Sequence, residues 1–106
     1  MVNKVRGEVE VILDGKTYTM VPSFQAMCEI EAVTGLGIVA LARRYQSLNF
    51  GISDAAAIVT AAIKAGGEDA EVQKVGAMIA KSGLENFATP IAEFLQMALG
   101  GPSKGE

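Results

Sequence analysis

The dipeptide Asp14-Gly15 lies between two runs of alternating residues, and that arrangement commits the start of this chain to a β-hairpin. A type I′ turn needs two successive residues that tolerate positive φ, and Asp-Gly supplies them. Val9, Val11 and Leu13 alternate with Glu8, Glu10 and Ile12 at the period of a half-buried strand. With Asp14 and Gly15 as the loop, the second strand is Lys16 to Met20. Leu13 then faces Lys16, Val11 faces Tyr18 and Val9 faces Met20, so the apolar groups share one face while Glu10 and Thr19 fall on the other. A slip of one residue would turn that apolar set outward, so the register is strongly specified. An isolated hairpin is marginal in water, and this one must lean on a helix.

Helical material follows. Pro22-Ser23 breaks the strand, and Ser23 is the expected N-cap of a helix from about Phe24 to Thr34, closed by Gly35. Phe24, Met27 and Cys28 line one side of it, flanked by Ile30. Glu31, one turn beyond Met27, reads as a boundary carboxylate paired with Arg43 or Arg44, or alternatively as a functional contact. After Gly35-Leu36-Gly37 a short helix from Ile38 to Gln46 buries Ile38, Leu41, Ala42 and Tyr45 and turns Arg43-Arg44 outward. Those arginines are either a solvated face or a contact for an acidic partner. Leu48 and Phe50 are expected to close an edge of the core from the next loop.

Ser53 reads as the N-cap of a third helix, Asp54 to Ala65, with Asp54 suiting the helix dipole. Ala55, Ile58, Val59, Ala62 and Ile63 form one arc, and Ala57, Thr60, Ala61 and Lys64 a small, weakly polar reverse. Such a helix is either sandwiched centrally, which we favour, or offers an alanine surface to another chain. Gly66-Gly67 ends it. Asp69 is positioned to cap a fourth helix, Ala70 to Ser82, with Val72, Val75, Met78 and Ile79 inward and Gly76 allowing close approach. The last helix reaches Leu99 on a stripe of Leu84, Phe87, Ile91, Phe94, Leu95 and Ala98. Pro90 is either its first residue after a Thr89 cap or the end of a first turn begun near Glu85. The stripe favours the second. The fold class expected is α+β, mainly α: an N-terminal β-hairpin packed on four to five short helices in a single domain, with residues 1–6 a loose lead-in and 100–106 a flexible tail.

Composition narrows function by exclusion. The chain has 106 residues, 50% hydrophobic and 20% charged, with a net charge of -3. That balance is globular, and it lacks the basic footprint of a nucleic-acid-binding domain. No apolar run approaches the roughly 18 residues of a membrane span, and the first ten residues have no signal-peptide core. The protein is expected to stay in the cytoplasm. There is no histidine, and the single Cys28 can form neither an internal disulfide nor a cysteine-rich zinc site. Cys28 reads as a small apolar filler on a buried helix face. Gly15-Lys16-Thr17 imitates the end of a P-loop, but Glu10 stands where the motif needs glycine, and a strand follows instead of a helix. Glu29 and Glu31 point in different directions on a helix. No acid, base and nucleophile converge, so no catalysis, metal or cofactor is expected.

The segments RGEVEVILDGKTYTM, FQAMCEIEAVTGLGIVALARR and SDAAAIVTAAIKAGG, with a Gly-ended C-terminal apolar helix, resemble the gene transfer agent family proteins and tail assembly chaperones of phage tail clusters. The similarity runs from Arg6 to about Leu99 and rests on the order and spacing of Gly7-Glu8-Val9, Asp14-Gly15-Lys16 with Tyr18, Glu29-Ile30-Glu31 before Gly35, and Ser53-Asp54. It implies a non-catalytic protein of a bacterial host that keeps the long helical tape-measure protein soluble while tail tube subunits assemble, and it transfers no site residues. The rival readings are a structural component of the tail, associated with the particle, and a small adaptor unrelated to phage. Homo-oligomerisation stays open. The partner surface expected from the residues is the alanine face of the third helix, Ala57 and Ala61 with Lys64, together with the outer side of the last helix around Met97 and the Arg43-Arg44 pair. Of the five methionines, Met20, Met27, Met78 and Met97 suit either an adaptable surface or core filling.

Overall fold

The computed structural model describes residues 7–100. Strands β1 (Val9–Leu13) and β2 (Lys16–Met20) pair antiparallel, with Val9 opposite Met20, Val11 opposite Tyr18 and Leu13 opposite Lys16, the register expected from the turn. Asp14 and Gly15 have φ of 52° and 80°, the consecutive positive values that a type I′ loop demands. Val9, Val11, Leu13 and Met20 are buried, while Ile12 is exposed on the opposite face.

Five helices follow: α1 (Phe24–Thr34), α2 (Ile38–Gln46), α3 (Ile52–Ala65), α4 (Val72–Ser82) and α5 (Ala88–Ala98), the last entered through a 3₁₀ turn over Leu84–Phe87. The α+β, mainly α arrangement of a hairpin on helices is as expected. Ser23 caps α1 by accepting the Ala26 N–H at 3.1 Å, and Gly35 closes it in the left-handed region. The buried side of α1 differs from expectation. Ala26 and Ile30 face the core, Met27 is half-buried, and Phe24 and Cys28 face solvent. Phe24 is the first residue after the cap, where the chain still approaches from β2, and the i, i+4 pair Ala26–Ile30 fits the narrow gap to α3 better than aromatic bulk.

Glu31 does not pair with Arg43 or Arg44. Its Oε2 accepts the Ile38 N–H at 2.9 Å, capping α2, whose own N-cap Gly37 offers no side chain. Two other caps also depart from expectation. The helix α3 starts at Ile52 on Gly51, leaving Ser53 and Asp54 inside the first turn. After Gly67 the Glu68 N–H returns to the Ile63 carbonyl, so α4 begins at Val72 with Glu71, not Asp69, as N-cap. Pro90 is the third residue of α5, where a missing N–H costs no helical bond. Gly100 turns back on α5 through its N–H to Met97, while the expected loose segments 1–6 and 101–106 lie outside the described residues.

The helix α3 is central. Every residue from Ala55 to Ile63 is buried, with α1 and α4 on its flanks and β2 at its C-terminal end. The Val21 N–H donates to the Ala62 carbonyl at 3.0 Å, satisfying one of the acceptors that a helix C-terminus leaves open. Gly66 lies so close to β2 that a Cβ there would run into the Thr19 carbonyl oxygen.

Two outcomes follow. Gly66→Ala should drive β2 off α3 and lower the unfolding free energy by about 2 kcal/mol in urea denaturation. Glu31→Ala should cost about 1 kcal/mol through the lost cap on α2, with no loss for Glu29→Ala at the exposed pair beside it beyond about 0.5 kcal/mol.

Candidate partner-binding surface

The expected contact residues fall into separate places. Ala57 and Ala61, expected on an exposed alanine face, are buried, with 6% and 2% of their surface accessible. That expectation is corrected because α1 and α4 both lie on α3 and leave its reverse side only as the floor of a groove. Small side chains permit that close approach, and Gly76 of α4 contributes, since a Cβ there would sit 3.4 Å from the Ala56 Cβ. The groove widens into clefts of about 330 Å³ over Val33, Ala57, Thr60 and Val72 and about 180 Å³ over Gln25, Ala26 and Ala61. The Lys64 ammonium pairs with the Glu29 carboxylate at 3.2 Å between them. Thr60 is buried in this floor, and its hydroxyl has no hydrogen-bond partner among the described residues.

On the other side of the molecule, α2 and α5 enclose a wider cleft of about 490 Å³ lined by Ala42, Tyr45, Leu48, Ala88, Ala92 and Gln96. The Tyr45 ring stacks on Phe50 at 4.4 Å between centroids and 9° between planes, which explains the partial burial of Phe50 in the loop after α2. Burial first, and the nearby Asp54 carboxylate second, push the Tyr45 phenol well above its usual range, so it stays protonated. Leu48 does not close the core as expected. It is 74% exposed and holds φ at 61°, a left-handed conformation that leucine rarely adopts.

Arg43 is exposed and Arg44 half-buried at the end of α2, and neither forms an ion pair among the described residues. Met97 is not on an outer face. It is half-buried under the chain at Gly7, where a Cβ would come within 3.1 Å of the Met97 Cβ. Met20 is fully buried, and Met27 and Met78 line the core edge.

Among the described residues, no group of three or more His, Cys, Asp or Glu side chains is placed to hold a metal ion. No single described helix is long and apolar enough to cross a membrane.

Comparison with known families decides the relationship. Residues 6–101 match the family described as phage tail tube protein, GTA-gp10. The chain belongs to this family. No curated protein and no solved structure matches it.

Membership of the GTA-gp10 family places the chain among phage and gene transfer agent tail proteins, in line with the resemblance read from its segments. In this family member, Ala57, Ala61 and Lys64 share the α3 groove, Arg43 and Arg44 share the end of α2, and Met97 stands apart. Tyr45 and Leu48 read in the sequence as packing residues and Thr60 as part of a weakly polar helix face, none of them as a contact residue. Thr60 is the one polar residue in the apolar stretch from Ala55 to Ile63, which is the sequence signal that marks it. In this GTA-gp10 member, Tyr45→Phe removes a buried hydroxyl that has no hydrogen-bond partner among the described residues and keeps the stack on Phe50. Stability should be unchanged or higher by up to about 1 kcal/mol, read from the urea midpoint.

Proposed function

We propose that this protein is a non-catalytic tail assembly chaperone that holds the tape-measure protein soluble in the cytoplasm of the bacterial host, using the α2–α5 cleft as its client surface. The observation that carries this reading is Leu48. An exposed leucine in a left-handed conformation costs stability without serving the core, and such strain concentrates where a segment has another task. It stands at the rim of a cleft floored by Ala42, Ala88 and Ala92, small residues over which a client helix can approach closely. The tape-measure protein as client, and tail tube subunits as the structures assembling around it, come from the family resemblance.

The alternative role, a component of the tail itself, is supported by the family description and by the hairpin, in which β1 pairs with a strand on one side only. Against a role as tube wall, two strands of five residues give little sheet for building a closed lumen. Presence in purified particles would favour the structural role, and presence only in the producing lysate the chaperone. An unrelated adaptor would lack tail tube and tape-measure genes as neighbours.

The direct test is co-expression with the tape-measure protein. Wild-type protein should raise its soluble fraction, and Leu48→Asn should lower that fraction several-fold while leaving the protein as stable or up to about 1 kcal/mol more stable, because asparagine tolerates the left-handed region. Undiminished activity in the Leu48→Asn variant would remove the α2–α5 cleft as the client surface.

A further inference from the structure

We infer that the side of β1 turned away from β2 is a docking edge for an extended, basic segment of another protein, which adds to the hairpin as a third strand. The two-residue loop makes Leu13 and Lys16 a hydrogen-bonded pair, and the alternation that follows puts Val11 with Tyr18 and Val9 with Met20 in the same class. The N–H and C=O groups of Glu10 and Ile12 therefore point away from β2. Among the described residues they have no hydrogen-bond partner.

These groups lie beside a cleft. A cavity of about 480 Å³ is lined by Glu10, Ile12 and Asp14 of the hairpin and, across from them, by Phe87, Pro90 and Glu93 around the start of α5. Ile12 is 62% exposed, an apolar side chain on an edge strand that the fold leaves uncovered. The five residues of β1 offer about 17 Å of edge to an occupant.

Charge decides what that occupant is. The lining carries the carboxylates of Glu10, Asp14 and Glu93 and no lysine or arginine among the described residues. Glu93 has a partner of its own, and Asp14 meets Lys81 only at 3.7 Å with both side chains mostly exposed. Glu10 is exposed and forms no ion pair among the described residues. A strand laid along this edge places one side chain opposite Glu10 and another, two residues on, opposite Ile12, both on the same face. The matching segment carries lysine or arginine at the first position and a β-branched apolar residue at the second. A second copy of the same edge fits poorly, because it brings Glu10 and Asp14 against carboxylates of their own kind. The edge lies on α5 beside the α2–α5 cleft, Thr89 and Glu93 lining both, and it does not depend on that cleft holding a client.

The peptide acetyl-Val-Thr-Lys-Thr-Val-amide tests this, since its pattern reads the same in either strand direction. Titrated into the full chain, it should shift the Glu10 and Ile12 amide signals in proton–nitrogen NMR and slow their hydrogen exchange. The same peptide with glutamate in place of lysine should bind about three-fold more weakly or worse. Glu10→Lys should reverse the order of the two peptides, and its exposed position makes a folded variant the expectation, checked by circular dichroism. Leu48→Asn should change neither affinity, which separates this outcome from that of the client test. Glu10 and Ile12 amides that do not respond, equal binding of the two peptides, or shifts confined to the α2–α5 cleft would each overturn the proposal. Slow exchange at those two amides without peptide would overturn it as well, showing an edge already covered by a second copy if dilution abolishes the protection and by the same chain if it does not.

Discussion

The hairpin stands on the C-terminal end of α3, and the rest of the fold is arranged around that junction. Two strands of five residues cannot hold together in water unless their apolar face is covered. Cover comes from three helices: α3 meets β2, while α4 and α5 meet β1. The Val21 amide takes up a carbonyl that α3 cannot satisfy internally, and glycine at position 66 lets the two backbones approach. Full burial of Leu13 and Met20 adds roughly 2 kcal/mol for each side chain removed from water. The junction thus joins a hydrogen bond, a steric fit and apolar burial at one place.

A helix buried on every side lets its neighbours approach closely only where it carries small residues, and the alanines of α3 shape the surface in this way. The alanines of α3 let α1 and α4 come close, so no broad apolar face remains there, only a narrow groove. The α2–α5 cleft arises in a similar way from Ala42, Ala88 and Ala92. Among the described residues, neither surface places three His, Cys, Asp or Glu side chains to hold a metal ion. Both present alanine floors, a few apolar rims and charges at the edge.

Much of the fold was legible because local and global signals agree. The Asp14-Gly15 turn and the alternation in β1 each specify the same register, and Ser23 with Gly35 brackets α1 at the observed residues. Ile38, Leu41, Ala42 and Tyr45 repeat at helical spacing and are all buried. What was not legible depended on neighbours distant in sequence. Phe24 is apolar and lies near the periodic stripe, but only the position of α3 decides that Ala26 and Ile30 face inward instead. Ser53 and Asp69 are good capping residues placed where the backbone enters its helix elsewhere. Glu31 looked like a surface charge because its partner is a backbone amide seven residues on, which no charge pattern reveals. The alanine face could be exposed or covered with the same sequence, and packing of two other helices made the choice.

The account depends most directly on β2 and α3 opening together. Native-state hydrogen exchange at the Val21 amide, which is bonded to the Ala62 carbonyl, measures this. The amide should exchange with the same opening free energy as the core amides of α3, reporting one cooperative unit. Exchange of Val21 orders of magnitude faster than Ile58 or Ala62 would show the hairpin opening by itself, and would contradict the claim that α3 is what holds it.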